Sequence, residues 1–159
     1  MARITDSKLQ ELLDRAEINE LIAAYAQGAD NPDPDLHLSV YAPDVLLELD
    51  GLEPIRGLDA LREAMTNGTF SKVTRCHLQT STHAMFNTRI KIDGDEATGV
   101  VHAISYLIGT REGAPYAACR GLVYHDRYRR IDGKWLITHR KHSLRWLIEG
   151  TPSPLSPTA

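Results

Sequence analysis

The chain has 159 residues, 42% of them hydrophobic and 25% charged, with a formal net charge of −3. That balance fits one globular domain long enough to bury a substantial core. It gives no electrostatic reason to expect nucleic acid or an anionic membrane as partner. Two cysteines, Cys76 and Cys119, are too few and too far apart for a disulfide scaffold or a zinc site. The opening residues lack the apolar core of a signal peptide, and no apolar run approaches the about 18 residues of a membrane span. The expectation is a cytoplasmic protein.

Asp6 or Ser7 offers an N-cap, and Leu9, Leu12, Leu13, Ile18, Leu21, Ile22 and Tyr25 follow at helical spacing. One long helix should therefore run to about Gly28. Asn31-Pro-Asp-Pro34 breaks it, and Asp33 or Asp35 starts a short second helix through Tyr41. Ala42-Pro43-Asp44 ends that helix and opens a strand over 45–49. Gly51 turns the chain, and Gly57-Leu58-Asp59 opens a third helix with Leu58, Leu61 and Met65 inward. From Thr74 the pattern becomes strands over 74–92, 97–109, 116–130 and 135–146. Turns at Asp93-Gly94-Asp95, Arg111-Glu-Gly113 and Asp132-Gly133 separate them.

Helices followed by a meander of long antiparallel strands imply an α+β fold. Its sheet must curl around the N-terminal helices, leaving an open apolar mouth suited to a small molecule. The domain is expected over residues 1–150, with a proline-rich extended tail over 151–159. Apolar residues on the outer sheet face predict a homodimer or homotrimer packed through sheet faces.

Two segments carry the chemistry: Tyr25-Ala-Gln-Gly-Ala-Asp30 at the end of the first helix, and Thr82-His83-Ala-Met-Phe-Asn87 in the first long strand. A carboxylate beside an imidazole fixes the ring and stabilises its cation, leaving the other ring nitrogen to take or give a proton. Read blandly, Asp30 is a helix-end carboxylate and His83 a satisfied strand residue. His102 falls beside His83 if the hairpin is regular, and a slip of one residue reverses its face. Tyr25 is either a buried hydrogen-bond donor or core packing. Tyr106, Tyr124 and Trp146 offer ring-binding surface or ordinary core. Arg145 shares a strand face with Ser143 and Lys141, expected at the surface or an interface. His77, His125, His139 and His142 are expected to be exposed or structural. No cluster has metal-ligand spacing, and no glycine-rich loop suits a phosphate, so no metal and no cofactor are expected.

The run from Leu13-Asp-Arg-Ala-Glu-Ile18 through Tyr41-Ala-Pro-Asp44, His83-Ala-Met-Phe-Asn87, Ile92-Asp-Gly-Asp-Glu-Ala97 and Asp132-Gly-Lys-Trp135 resembles a known family. It is similar to the SnoaL-like branch of the NTF2-like (cystatin-like) superfamily, over nearly the whole chain. Asp30, His83 and Leu144-Arg145-Trp146 resemble scytalone dehydratase and related lyases and isomerases. The resemblance implies a cone-shaped fold and an Asp30–His83 general acid/base pair acting on a hydrophobic cyclic molecule. Tyr25 and His102 would assist, and Tyr106, Tyr124, Leu49 and Trp146 would line the pocket. Ala29 and Leu49 stand where scytalone dehydratase has two tyrosines, Tyr124 replaces a pocket asparagine, and Ile108 replaces a second catalytic histidine. Bile-acid dehydratases likewise place a tyrosine five residues before the aspartate. The alternatives are a ligand-binding module without chemistry and an accessory subunit like the β chain of aromatic-ring dioxygenases.

Overall fold

The computed structural model describes residues 5–31 and 33–153. The first four residues, Pro32 and most of the predicted tail (154–159) lie outside that range. The elements run α1 (Asp6–Asp30), α2 (Pro34–Ser39), β1 (Tyr41–Leu49), β2 (Ile55–Arg56), α3 (Leu58–Thr66), α4 (Ser71–Thr74), β3 (His77–Asp93), β4 (Glu96–Arg111), β5 (Ala114–Ile131) and β6 (Lys134–Gly150). Six strands form one curved sheet in the order β2-β1-β6-β5-β4-β3. Every neighbouring pair is antiparallel except β1 with β6. This is the α+β cystatin-like architecture the sequence implied.

Local chemistry explains the boundaries. Thr5, one residue before the expected cap, accepts from the Lys8 N–H and starts α1. Asp33 caps α2, accepting from the Leu36 N–H at 2.9 Å. That helix stops at Ser39, and Tyr41 is already strand, four residues before the expected start at Val45. The chain can extend through Pro43 because the β1–β6 register is interrupted between Tyr41 and Leu46, so proline's missing donor costs no ladder bond. Helix α4 has no clear sequence signal.

The concave face of the sheet packs on α1 and α3. Ile18, Leu61 and Ile137 are fully buried there, with Val45, Val101, Leu122, Tyr124 and Tyr128 around them. Helix α1 is not buried along its whole apolar stripe. Leu9, Leu12 and Leu13 are each about half exposed, because the first turns project past the packed region. The tether holding α1 in place is polar: Arg130 bonds Asp14 at 2.6 Å and Asp95 at 2.9 Å, and Arg15 donates to the Ile90 carbonyl.

Two of the four single-residue register shifts in the long antiparallel strands bear on the expected site residues. One lies between Phe86 and Thr88, where Asn87 takes a left-handed φ of 48°. A short polar side chain tolerates that conformation better than most. The other skips Arg145, so that Leu144 faces Leu122 while Trp146 faces Gly121. The Trp146 ring occupies the space a Cβ at Gly121 would need.

Candidate active site

The mouth of the cone is a cavity of about 530 Å³ between the end of α1, helices α2 to α4 and the concave faces of β3, β5 and β6. Its wall is mostly apolar, with Leu49, Met65, Phe70, Val73 and Leu122 among the lining residues. Asp30 and His83 meet inside it. The Asp30 Oδ1 accepts from His83 Nδ1 at 2.7 Å and from Ser81 Oγ at 2.9 Å. Oδ2 accepts from the backbone N–H of His83 at 2.6 Å. A carboxylate only accepts, so in the neutral ring the proton is on Nδ1 and the lone pair on Nε2. Both side chains are largely shielded, so the interaction is weakly screened.

Gly28 brings the second layer into range. A Cβ on Gly28 would come within 2.5 Å of the His37 backbone nitrogen, so glycine permits α2 to fold back over α1. His37 then packs against Tyr25, with ring centroids 4.9 Å apart. Tyr25 also meets the rings of His83 and Tyr124, at 6.1 Å and 5.7 Å. Its hydroxyl donates to the Tyr124 hydroxyl over 3.5 Å, a long bond. Behind them Arg140 is fully buried, its guanidinium 4.1 Å from the Tyr25 ring centre and 4.6 Å from that of Tyr124. Asp126 holds it with two bonds, at 2.8 Å and 2.7 Å.

Tyr25, Leu49 and Tyr124 thus line the cavity together with Asp30 and His83. Three other expected positions do not. His102 and Tyr106 are exposed on the convex face of β4, and the bulge at Asn87 turns His83 away from that face, opposite Ser105 and not Tyr106. Trp146 lies on the same outer face through the second bulge. Arg145 is exposed at that bulge. His142, expected at the surface or in a structural role, is buried and lines the cavity. Sequence reasoning missed His37, Arg120 and Arg140. Strand alternation held a signal for one of them, since Arg120 shares a face with Leu122 and Tyr124. Among the described residues no group of three or more His, Cys, Asp or Glu stands close enough to hold a metal ion.

Burial pushes His37 and His142 down to about 4, assisted by the Arg140 charge at His37 and the Arg120 charge at His142. Both rings are therefore neutral in the fold at pH 7. Unfolding would let them protonate below their ordinary value near 6.5, so the unfolded chain binds more protons between about pH 6.5 and 4. Stability should be complete above that window and fall as the pH drops through it, by roughly 3 kcal/mol per ring. Melting temperatures at pH 7.5 and 5 should separate widely in the wild type, and less in His142→Asn. Equal separation in both would remove His142 from the account.

A family model described as a SnoaL-like domain matches residues 10–141. No curated protein matches the chain in sequence. Among solved structures, a type-2 hexachlorocyclohexane dehydrochlorinase (LinA) superposes with a TM-score of 0.81 at 19% identity, covering 94% of this chain and 97% of that one. A scytalone dehydratase candidate from Novosphingobium aromaticivorans gives 0.75 at 16% identity, covering 92% and 94%. An aromatic-ring hydroxylase candidate from the same species gives 0.74 at 26% identity, covering 87% and 94%.

Proposed function

We propose that this chain, which belongs to the SnoaL-like domain family, is a lyase or isomerase acting on a hydrophobic cyclic small molecule. The observation that supports this is the 2.7 Å contact between Asp30 and His83 Nδ1 at the wall of an apolar cavity. His83 Nε2 removes a proton from a carbon beside a carbonyl or leaving group. The released electron pair forms the new double bond. In elimination the leaving hydroxide or halide departs, and the imidazolium can return its proton to a departing hydroxyl. In isomerisation it returns the proton to another carbon. Asp30 stabilises the imidazolium in between. The Tyr25–Tyr124 hydroxyl pair, with Arg140 behind it, is the proposed donor to a developing oxyanion. Similarity to a dehydrochlorinase and to a scytalone dehydratase candidate supports the reaction class.

A panel of cyclic hydroxyketones, halogenated rings and unsaturated steroids tests the reading. Turnover of at least one, lost in His83→Ala, is the expected result. Binding by several with turnover of none would favour a ligand-binding module. The likeness to an aromatic-ring hydroxylase candidate keeps one other reading in view, an accessory subunit, which predicts co-purification with an iron-containing catalytic chain.

Further copies of this chain are the proposed macromolecular partner. Phe86, Tyr106, Trp146 and Ile148 on the convex face are between 38% and 65% exposed. They lie on three strands, β3, β4 and β6, with Tyr106 and Ile148 in one row across Cys119 of β5. Light scattering at micromolar concentration should return two or three times the chain mass. The mass of a single chain would refute it.

A further inference from the structure

Arg120 is the one arginine or lysine in the cavity wall, and the fold supplies it no counter-charge among the described residues. Its side chain is buried, with 6% of the residue exposed. Its sole side-chain hydrogen-bond partner among those residues is His142 Nε2, at 3.4 Å, and it makes no ion pair there. His142 can only accept through that nitrogen, so it orients the guanidinium without neutralising it. The acids of the same cavity are engaged elsewhere. Asp30 accepts three hydrogen bonds, and Asp33 caps α2. A second cavity of about 370 Å³ adjoins the first, with Arg120 and His142 in the wall of both. It holds Lys72 and Arg75 but a single acid, Asp50, which accepts from the Leu144 N–H at 2.7 Å. A buried guanidinium without an anion is costly, and a planar carboxylate fits its paired donors.

Register fixes where such an anion would sit. His83 pairs with Ser105, and Ser105 with Arg120, so the three stand in one row across the concave face. Two strand spacings set the Cα atoms of His83 and Arg120 about 10 Å apart. Ser105 between them is buried, with a hydroxyl that has no partner. A ring of ordinary size spans that gap.

We propose that Arg120, oriented by His142, is a carboxylate-binding subsite, and that the ligands of this cavity are hydrophobic ring carboxylates. The acid group sits on Arg120 while a carbon across the ring meets His83. This second half rests on the acid/base reading above; the subsite itself does not. The pair Arg120 and His142 selects ring acids over neutral rings of the same shape.

Calorimetric titration with 2-naphthoate and with 2-naphthamide compares two ligands of nearly equal shape and opposite suitability. Wild type should bind the carboxylate at least about tenfold more tightly. Arg120→Gln should bring the carboxylate down to the affinity of the amide and leave the amide within about twofold. Asp30→Asn should keep the wild-type preference. Melting temperature supplies a readout a structural role would reverse: removing an unpaired buried charge should leave Arg120→Gln as stable as wild type or more so. Equal affinity for the two ligands, no binding of either, or a preference that survives Arg120→Gln would overturn the proposal. The wild-type comparison decides even if the variant does not fold. Carboxylate preference without turnover of any ring acid would sink the acid/base reading and leave the subsite. Turnover of neutral rings without that preference would do the opposite.

Discussion

His83→Ala should lower turnover about 10²- to 10⁴-fold, the usual contribution of a general acid/base group. Asp30→Asn should be nearly as damaging, for a reason the hydrogen bonds make specific. Asp30 Oδ2 faces the backbone N–H of His83 at 2.6 Å, a donor that cannot reorient. An asparagine must turn its carbonyl oxygen to that N–H, which points its amide NH₂ at Ser81 and at His83 Nδ1. Nδ1 then accepts, and the ring proton moves to Nε2. The nitrogen facing the substrate no longer has a lone pair. Both variants should retain ligand binding, since the apolar wall is untouched. A loss below about tenfold in either would refute the assigned roles. His102→Ala, on the convex face, should stay within about twofold of wild type.

The sequence made Asp30 and His83 visible as candidates because each sits where an element ends or alternates. Their pairing came from the family resemblance and not from the spacing of the residues, since the curvature of the sheet is what carries β3 across the end of α1. The turns were legible for a local reason. Asp132 and Gly133 both take positive φ, at 50° and 77°, and asparagine, aspartate and glycine dominate such positions. The misplaced residues share one physical cause. In a regular β3–β4 hairpin closed at Gly94, His83 would oppose Tyr106, and His102 would share its face. The extra residue at Asn87 shifts the pairing by one and turns His83 to the concave face, while unbroken alternation along β4 leaves His102 and Tyr106 on the convex one. Skipping Arg145 reverses the face of Trp146. An asparagine inside a strand run and a glycine opposite a tryptophan were the available signals. Arg120 and Arg140 escaped notice because strand arginines are ordinarily surface residues. Their burial depends on the curl of the sheet.

Arg140 carries the largest expected effect on stability. It is fully enclosed, and both Asp126 oxygens are committed to it, Oδ2 also accepting from the Tyr128 hydroxyl at 2.8 Å. Burial works against the Arg140 charge, and the Asp126 carboxylate outweighs it, holding the guanidinium firmly protonated. Asp126→Asn removes the counter-charge and leaves that cation enclosed beneath Tyr25 and Tyr124, so it should cost about 3–5 kcal/mol. For a domain of this size that is a fall in melting temperature on the order of 10 °C. The double replacement Asp126→Leu with Arg140→Met should recover most of the loss, because a packed apolar pair of similar volume avoids the desolvation cost of two ions. It should not recover turnover if the Arg140 charge supports the tyrosine hydroxyls as proposed. A single variant that melts within about 2 °C of wild type would show that water or a rearranged neighbour reaches Arg140. Stability restored together with full activity would confine the ion pair to a structural role.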